Sequence, residues 1–337
     1  MSALVACDHV APGAPSASGN GGPFDPRPPL RLTFNPGNDL WPAWTPDGSG
    51  IWYAYQALDR PDGDYCLGRI PAGGGTRTVE ACILSPAAAA DSVDAVVSPA
   101  TRGLELAWIR LNSPLHALVP NGGDLVVAPV ADPGAAVSLL HFPFQSVTGR
   151  FHSFGVDLQW LDDTTLVYAG VAMRVIGNPP RDTVLTGQEI ALVRLNGATT
   201  IAPNTAGASS VGVGLLPGEI YFTRDGDSRI FHLRLPDTTI SIAYDFGALG
   251  IARDVRVSAS GILAVVGGDV SIPPGAGQFD RGGAVYLLRD TVVTLLTPPP
   301  ALPFWRHPSF APNGRSFAGS AHDSTGSADD IYRVDLQ

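Results

Sequence analysis

The chain has 337 residues, of which 45% are hydrophobic and 15% charged, and a formal net charge of −10 at pH 7. The length suits one large domain or two, and 21 Lys and Arg against 31 Asp and Glu argue against the clustered basic surface that nucleic-acid binding requires. No uninterrupted apolar run of about 18 residues occurs, so no transmembrane helix is expected.

In chain order, the first feature is Leu4-Val5-Ala6-Cys7, which resembles a bacterial lipoprotein box. The resemblance implies a lipidated Cys7 and membrane attachment through it; the alternative is a chance match in an Ala-rich stretch. Residues 11–29 are rich in Gly, Pro, Ser and Ala, the composition of a flexible tether. Residues 1–29 are therefore read as an N-terminal tether, and 30–337 as the folded part.

From residue 30 onward, period-2 apolar runs alternate with Gly- and Pro-rich turns, and no 3.6-residue amphipathic stretch appears. Gly (39) and Pro (31) are abundant, as expected where many short strands meet at many turns. The phrase Trp41-Pro42-Ala43-Trp44-Thr45-Pro46-Asp47-Gly48 near the start recurs near the end as His307-Pro308-Ser309-Phe310-Ala311-Pro312-Asn313-Gly314. A repeated strand–turn–strand phrase signals an array of one supersecondary unit. Taking the inner-strand residue before each first turn as an anchor gives Trp44, Val97, Trp160, Val213, Val257 and Phe310. Six units of four antiparallel strands follow, the first over 42–45, 51–56, 64–70 and 76–83. The last has only 308–311, 316–320 and 330–336. Residues 30–34 have no partner in the first unit, so they are expected to pair with 331–336 and supply the missing strand, which would close the array and remove its exposed edges.

Cys66 and Cys82 flank the hairpin turn Pro71-Ala72-Gly73-Gly74-Gly75. Facing each other across neighbouring strands they would form a disulfide, which needs an oxidising compartment; buried free thiols are the alternative.

Candidate chemistry is sparse. Gly207-Ala208-Ser209-Ser210-Val211 approaches a nucleophile elbow but lacks the closing Gly and the strand-to-helix context, so no catalytic residue is assigned. Asp59, Asp62 and Asp64 form a compact acidic loop and are weak Ca²⁺ candidates; no other cofactor is indicated. His322, Asp323, Asp329 and Asp330 form a second acidic group. Asx-turn capping is the simpler account of both. Connections between second and third strands (57–63, 111–123, 172–188, 267–283 and 321–329) are long and carry Leu115, Leu118, Val175, Ile176 and Phe279, the candidates for a binding rim. Asp157 and Asp254 are the inner-strand carboxylates.

The two repeated phrases, with Leu32-Thr33 before the first and Asp330-Ile331-Tyr332-Arg333-Val334-Asp335-Leu336 after the second, resemble the repeat of TolB-type β-propellers. The resemblance implies an all-β, six-bladed β-propeller of four-stranded antiparallel blades, its last blade closed by an N-terminal strand. It also implies a bacterial-envelope location and a role as a binding platform. The expected function is thus a non-catalytic binding or assembly module, periplasmic or at the cell surface, docking on another envelope protein or membrane complex through its loop rim. The alternatives are a metal-dependent hydrolase or lactonase-like propeller enzyme using axial carboxylates such as Asp157 or Asp254, and a glycan- or peptide-binding propeller. Fold alone does not decide between them.

Overall fold

The computed structural model describes residues 28–57, 64–81, 92–114, 122–143, 146–147, 150–151, 154–176, 182–267, 283–290, 292–297, 302, 304–322 and 328–336. The described residues are all-β, with short 3-10 turns at Pro133–Ala135 and Gly247–Leu249 and no α-helix. Strand β1 (Leu30–Arg31) leads into an antiparallel run of β2 (Asp39–Trp44), β3 (Gly50–Ala57), β4 (Asp64–Pro71) and β5 (Val79–Ala81). The pattern repeats as β6 (Ser92–Arg102), β7 (Glu105–Pro114), β8 (Gly122–Pro129) and β9 (Val137–Pro143). A small ladder of β10 (Ser146–Val147) and β11 (Arg150–Phe151) intervenes. Next come β12 (Phe154–Trp160), β13 (Thr165–Ile176), β14 (Asp182–Arg194) and β15 (Thr199–Ile201), then β16 (Ala208–Val213), β17 (Glu219–Arg224), β18 (Arg229–Arg234) and β19 (Ile240–Asp245). The run β20 (Ile251–Ser258), β21 (Gly261–Gly267), β22 (Ala284–Arg289) and β23 (Val292–Leu295) follows. The last sheet contains β24 (Phe304–Phe310), β25 (Ser316–His322) and β26 (Asp330–Asp335), with β1 hydrogen-bonded to β26.

One register recurs at the inner hairpin of each unit. Trp44 pairs with Ile51, Thr101 with Leu106, Trp160 with Leu166, Val213 with Ile220, Val257 with Ile262 and Phe310 with Phe317. A β-bulge lies just before each pair. This corrects the expected anchor of the second unit from Val97 to Thr101. Ser98-Pro99 is not its decayed hairpin turn but its bulge, at the place of Trp41-Pro42 and His307-Pro308. Trp41, Ser98 and His307 all adopt positive φ there (53°, 50° and 49°), and the true turn uses Gly103.

The two repeated phrases fold alike for a legible reason. The Thr45 N–H donates to the Gly50 carbonyl and the Gly48 N–H to the Thr45 carbonyl; Ala311 to Ser316 and Gly314 to Ala311 repeat the pair. The carboxylate of Asp47 accepts from the Ser49 N–H and the amide oxygen of Asn313 from the Arg315 N–H, the Asx bonds that favour these residues in turns. Gly48 and Gly314 then take φ of 71° and 65°, which L side chains adopt at a cost.

The outer edge of the last sheet is built like those of two other units. The Leu32 N–H donates to the Ile331 carbonyl while Thr33 Oγ1 accepts from the Ile331 N–H. Leu296 and Thr297 do the same to Val285, and Ala202 and Thr205 to Ile190. Leu32 shares one buried cluster with Trp44, Ile51, Ile70, Ala318 and Ile331, so the first and last sheets pack as neighbours.

The strands β13 and β14 are longer than expected. Val175 pairs with Thr183 and Ile176 with Asp182, so both rim candidates belong to an extended hairpin rather than to a loop over 172–188. The tether with Cys7, and Cys82, Asp59, Asp62, Leu115, Leu118, Phe279 and Asp323, lie outside the described residues. Asp64 opens β4 opposite Ala57.

Candidate functional site

Trp41, Ser98, Asp157, Ser210, Asp254 and His307 each lie three residues before an inner-hairpin pair, in or next to its bulge, and side chains at that level tie the second unit through to the sixth. Ser98 Oγ accepts the Leu158 N–H at 2.9 Å. Asp157 Oδ2 accepts the Val211 N–H at 2.9 Å and the Ser210 hydroxyl. Ser210 Oγ accepts the Val255 N–H at 3.2 Å, and Asp254 Oδ2 the His307 N–H at 3.0 Å. Each bond satisfies a backbone donor on an inner strand, a group that is costly to leave unpaired when buried. One turn further out, Trp44 Nε1 donates to the Ser309 carbonyl and Trp160 Nε1 to the Ala100 carbonyl, at 3.0 and 3.2 Å. Phe310, at the same position, has no such donor.

Asp157 carries more than a backbone bond. Arg256 reaches it with two nitrogens, Nη1 to Oδ2 at 2.9 Å and Nη2 to Oδ1 at 2.5 Å, and donates further to the Val211 and Val255 carbonyls. Burial works against the Arg256 charge, yet the carboxylate beside it raises its pKa. Both oxygens of Asp157 thus face a guanidinium where a cation would have to sit. Asp157 does not fit the metal-ligand role, and among the described residues no cluster of three or more His, Cys, Asp or Glu could hold a metal.

Above this level opens a cavity of about 360 Å³. Its lining runs from Trp41, Ser98, His307 and Arg256 at that level, past Trp44, Gln159, Trp160 and Phe310, to Pro46, Arg102, Gly103 and Pro312 at the inner hairpin turns. The cavity therefore opens on the side of those turns, opposite the connections expected to form a binding rim. The His307 ring lies 4.8 Å from that of Trp41. Desolvation first, and the Arg306 charge second, push its pKa down to about 3, and its Nδ1 is enclosed with no hydrogen-bond partner. A neutral imidazole of such low basicity serves as a hydrogen-bonding group rather than as a general base near neutral pH. With Arg256 paired to Asp157 and Arg102 to Asp163, the cavity offers aromatic side chains among polar groups, and the two guanidiniums that line it are each matched by a carboxylate. The sequence signal for it was the bulge phrase Trp41-Pro42/His307-Pro308, of which only the hairpin turn was legible; Gln159 and Arg256 carried no motif.

A second polar group lies at the other end of the inner strands. Asp329 bonds Arg306 Nη2 at 2.5 Å and His322 Nδ1 at 2.8 Å, and Asp330 pairs with Arg31 at 2.6 Å. The acidic group around 322–330 is thus an ion-pair network that holds β1, β24 and β25 together. Asp39, fully buried, accepts both bonds of the Asn35 amide at 2.9 Å, and burial pushes its pKa up to about 7.

No family model and no characterised protein sequence matches the chain. Solved structures do. XC5397 of Xanthomonas campestris, a gluconolactonase, is similar at a TM-score of 0.56 and 12% identity over 97% of this chain and 99% of that one. Regucalcin of Agrobacterium tumefaciens, a calcium-binding protein, is similar at 0.56 and 15% over 92% and 94%. TolB of Acinetobacter baumannii is similar at 0.53 and 16% over 86% of this chain and 64% of that one. The fold is a TolB-like β-propeller. At these identities the likeness is one of fold. It nevertheless corrects the expectation of a non-enzyme, since the same scaffold in XC5397 is an enzyme over nearly the whole length of both chains. Among the described residues, no helix of the propeller is long and apolar enough to cross a membrane.

Proposed function

We propose that the axial cavity is a small-ligand site for an uncharged polyhydroxylated ring, a sugar or sugar lactone, and that the chain belongs functionally with the lactonase-like and glycan-binding propellers. The observation that carries this reading is the cavity itself: about 360 Å³, within the roughly 300–1,000 Å³ of small-molecule sites, lined by Trp44, Trp160, Phe310 and a neutral His307. Aromatic faces suit the apolar face of a ring, and the pairing of each lining guanidinium with a carboxylate favours a neutral ligand. The gluconolactonase likeness supports the same ligand class. Calorimetric titration with a panel of neutral sugars and aldonolactones, run beside a lactone-hydrolysis assay, tests it. Binding should weaken about tenfold in Gln159→Ala, a wall substitution that spares the inter-unit bonds; no binding across the panel, with no hydrolysis, removes the reading.

The architecture around the site is read as six four-stranded blades closed into a ring by Leu30–Arg31, supported by the β1–β26 pairing and the shared Leu32 cluster. Lipidation of Cys7 would place the ring at a bacterial envelope. Cys66 is disulfide-bonded, which supports a pairing with Cys82; intact mass with and without reduction tests it.

A further inference from the structure

A second cavity, of about 410 Å³, lies at the seam between the first and last sheets. It shares Trp44 and Pro312 with the axial cavity, so the two adjoin across the Pro312 ring. The same two hairpin turns that carry the repeated Pro-Asp/Asn-Gly phrase, 45–48 and 311–314, form its walls through Asp47, Gly48, Pro312 and Asn313. The other inner hairpins replace that phrase, at Gly103, Asp162-Asp163, Pro217-Gly218 and Ser260-Gly261, and none of them lines the seam.

The chemistry of that surface is balanced. Two carboxylates, Asp47 and Asp335, and two guanidiniums, Arg315 and Arg333, line it. Hydrogen bonds from the Thr45 hydroxyl first, then from Ser49, hold the Asp47 pKa down at about 2, so its carboxylate is an acceptor at any ordinary pH. Arg333 is committed to Asp335 and to the Ala72 carbonyl. The guanidinium of Arg315, exposed at the cavity edge, makes no hydrogen bond or ion pair among the described residues. Fixed acceptors beside a free planar donor, with no net charge, match the hydroxyls of a neutral polyol better than an anion or a cation.

We infer that the seam is a second subsite, and that the ligand is a neutral oligosaccharide of at least two rings, one ring in the axial cavity and the next across Pro312 against Asp47 and Arg315. This rests on the sugar reading of the axial cavity. The test is titration of the full chain with neutral monosaccharides and with their two- and three-ring oligomers, in the native protein and in Arg315→Ala. Two-ring ligands should bind about tenfold tighter than one-ring ligands, the worth of one hydrogen bond to a charged group. Arg315→Ala should remove that gain and leave one-ring affinity unchanged. One-ring binding with no gain from a second ring overturns the subsite and leaves the axial reading standing; a gain that survives both Arg315→Ala and Asp47→Ala overturns it as well. Binding of an extended peptide across the seam, competing with one-ring sugars while oligomers show no gain, reassigns the groove to peptides and overturns it too. Failure of every one-ring sugar and lactone to bind takes down the axial reading first.

Discussion

Asp157 and Arg256 show how a single pair can hold an axis together. Their charges are desolvated, and such a pair typically contributes little net stability while the loss of one partner is costly. Asp157→Ala should therefore destabilise the fold by roughly 3–5 kcal/mol, because it leaves Arg256 charged and buried and strips the Val211 N–H of its acceptor. The double variant Asp157→Asn/Arg256→Met keeps an acceptor and removes the charge, and should cost much less than the two single changes combined. Urea unfolding of the three variants measures this; strict additivity would contradict it. Asp39 makes the opposite kind of prediction. Its pKa rises from 3.8 to about 7, by burial first, and that of Asp330 to about 6, again by burial, with the nearby Arg31 working against it. A carboxyl held above its unfolded value binds its proton more tightly when folded. Its stabilisation is complete below about pH 4 and is lost as the pH climbs through about 6 to 7. Asp329, lowered by His322 and Arg306 in spite of burial, acts with the other sign and loses its stabilisation as the pH falls. Asp39→Asn should flatten the decline in stability between pH 4 and 7, read as the urea midpoint at each pH. An unchanged slope would show that Asp39 is not the group responsible.

At the level of the element, the inner strand and its hairpin do two jobs that were unequally legible. The hairpin turn could be read because its chemistry is local: Pro, Asx and Gly each meet a backbone requirement within four residues. The bulge could not, because its purpose is to aim side chains at the next unit, and that partner lies some fifty residues away (Asp157 bonds Val211). Ser98-Pro99 therefore carries the local signature of a turn although it forms a bulge. The same limit applies to the long hairpin of β13 and β14, where Gly and Pro residues near Val175 and Ile176 give a strand the local signature of a loop. The outer-strand threonines were visible only as the Leu32-Thr33 pair. Thr33, Thr205 and Thr297 each accept a buried third-strand N–H, so Thr→Val at any of the three should cost about 1–3 kcal/mol, with similar values at each. Thermal unfolding of the three variants compares them directly; a negligible cost at Thr33 alone would separate the N-terminal strand from the other two.

For the whole molecule, the decisive question is whether the propeller depends on its N-terminal strand. The sequence signalled this strand through a deficit, since 30–34 had no partner in the first unit and the last unit lacked one strand. The structure adds reasons for it to matter. Leu32 is buried in the cluster that joins first and last sheets, Thr33 caps the Ile331 N–H, and Arg31 meets Asp330 at 2.6 Å. Burial of Leu32 contributes roughly 1.5–3 kcal/mol and the Thr33 bond about 1–3 kcal/mol, so the short strand stabilises the seam well beyond its two ladder residues. Its removal would also bare the full edge of β26, whose unpaired N–H and C=O groups are a template for pairing with a second chain. A variant lacking residues 1–34 should unfold several degrees lower and form concentration-dependent oligomers in light scattering. A variant lacking only 1–27 should match the full chain in both measurements. If the two deletions behave alike, the first and last sheets are held together by their inner strands and not by the β1–β26 pairing.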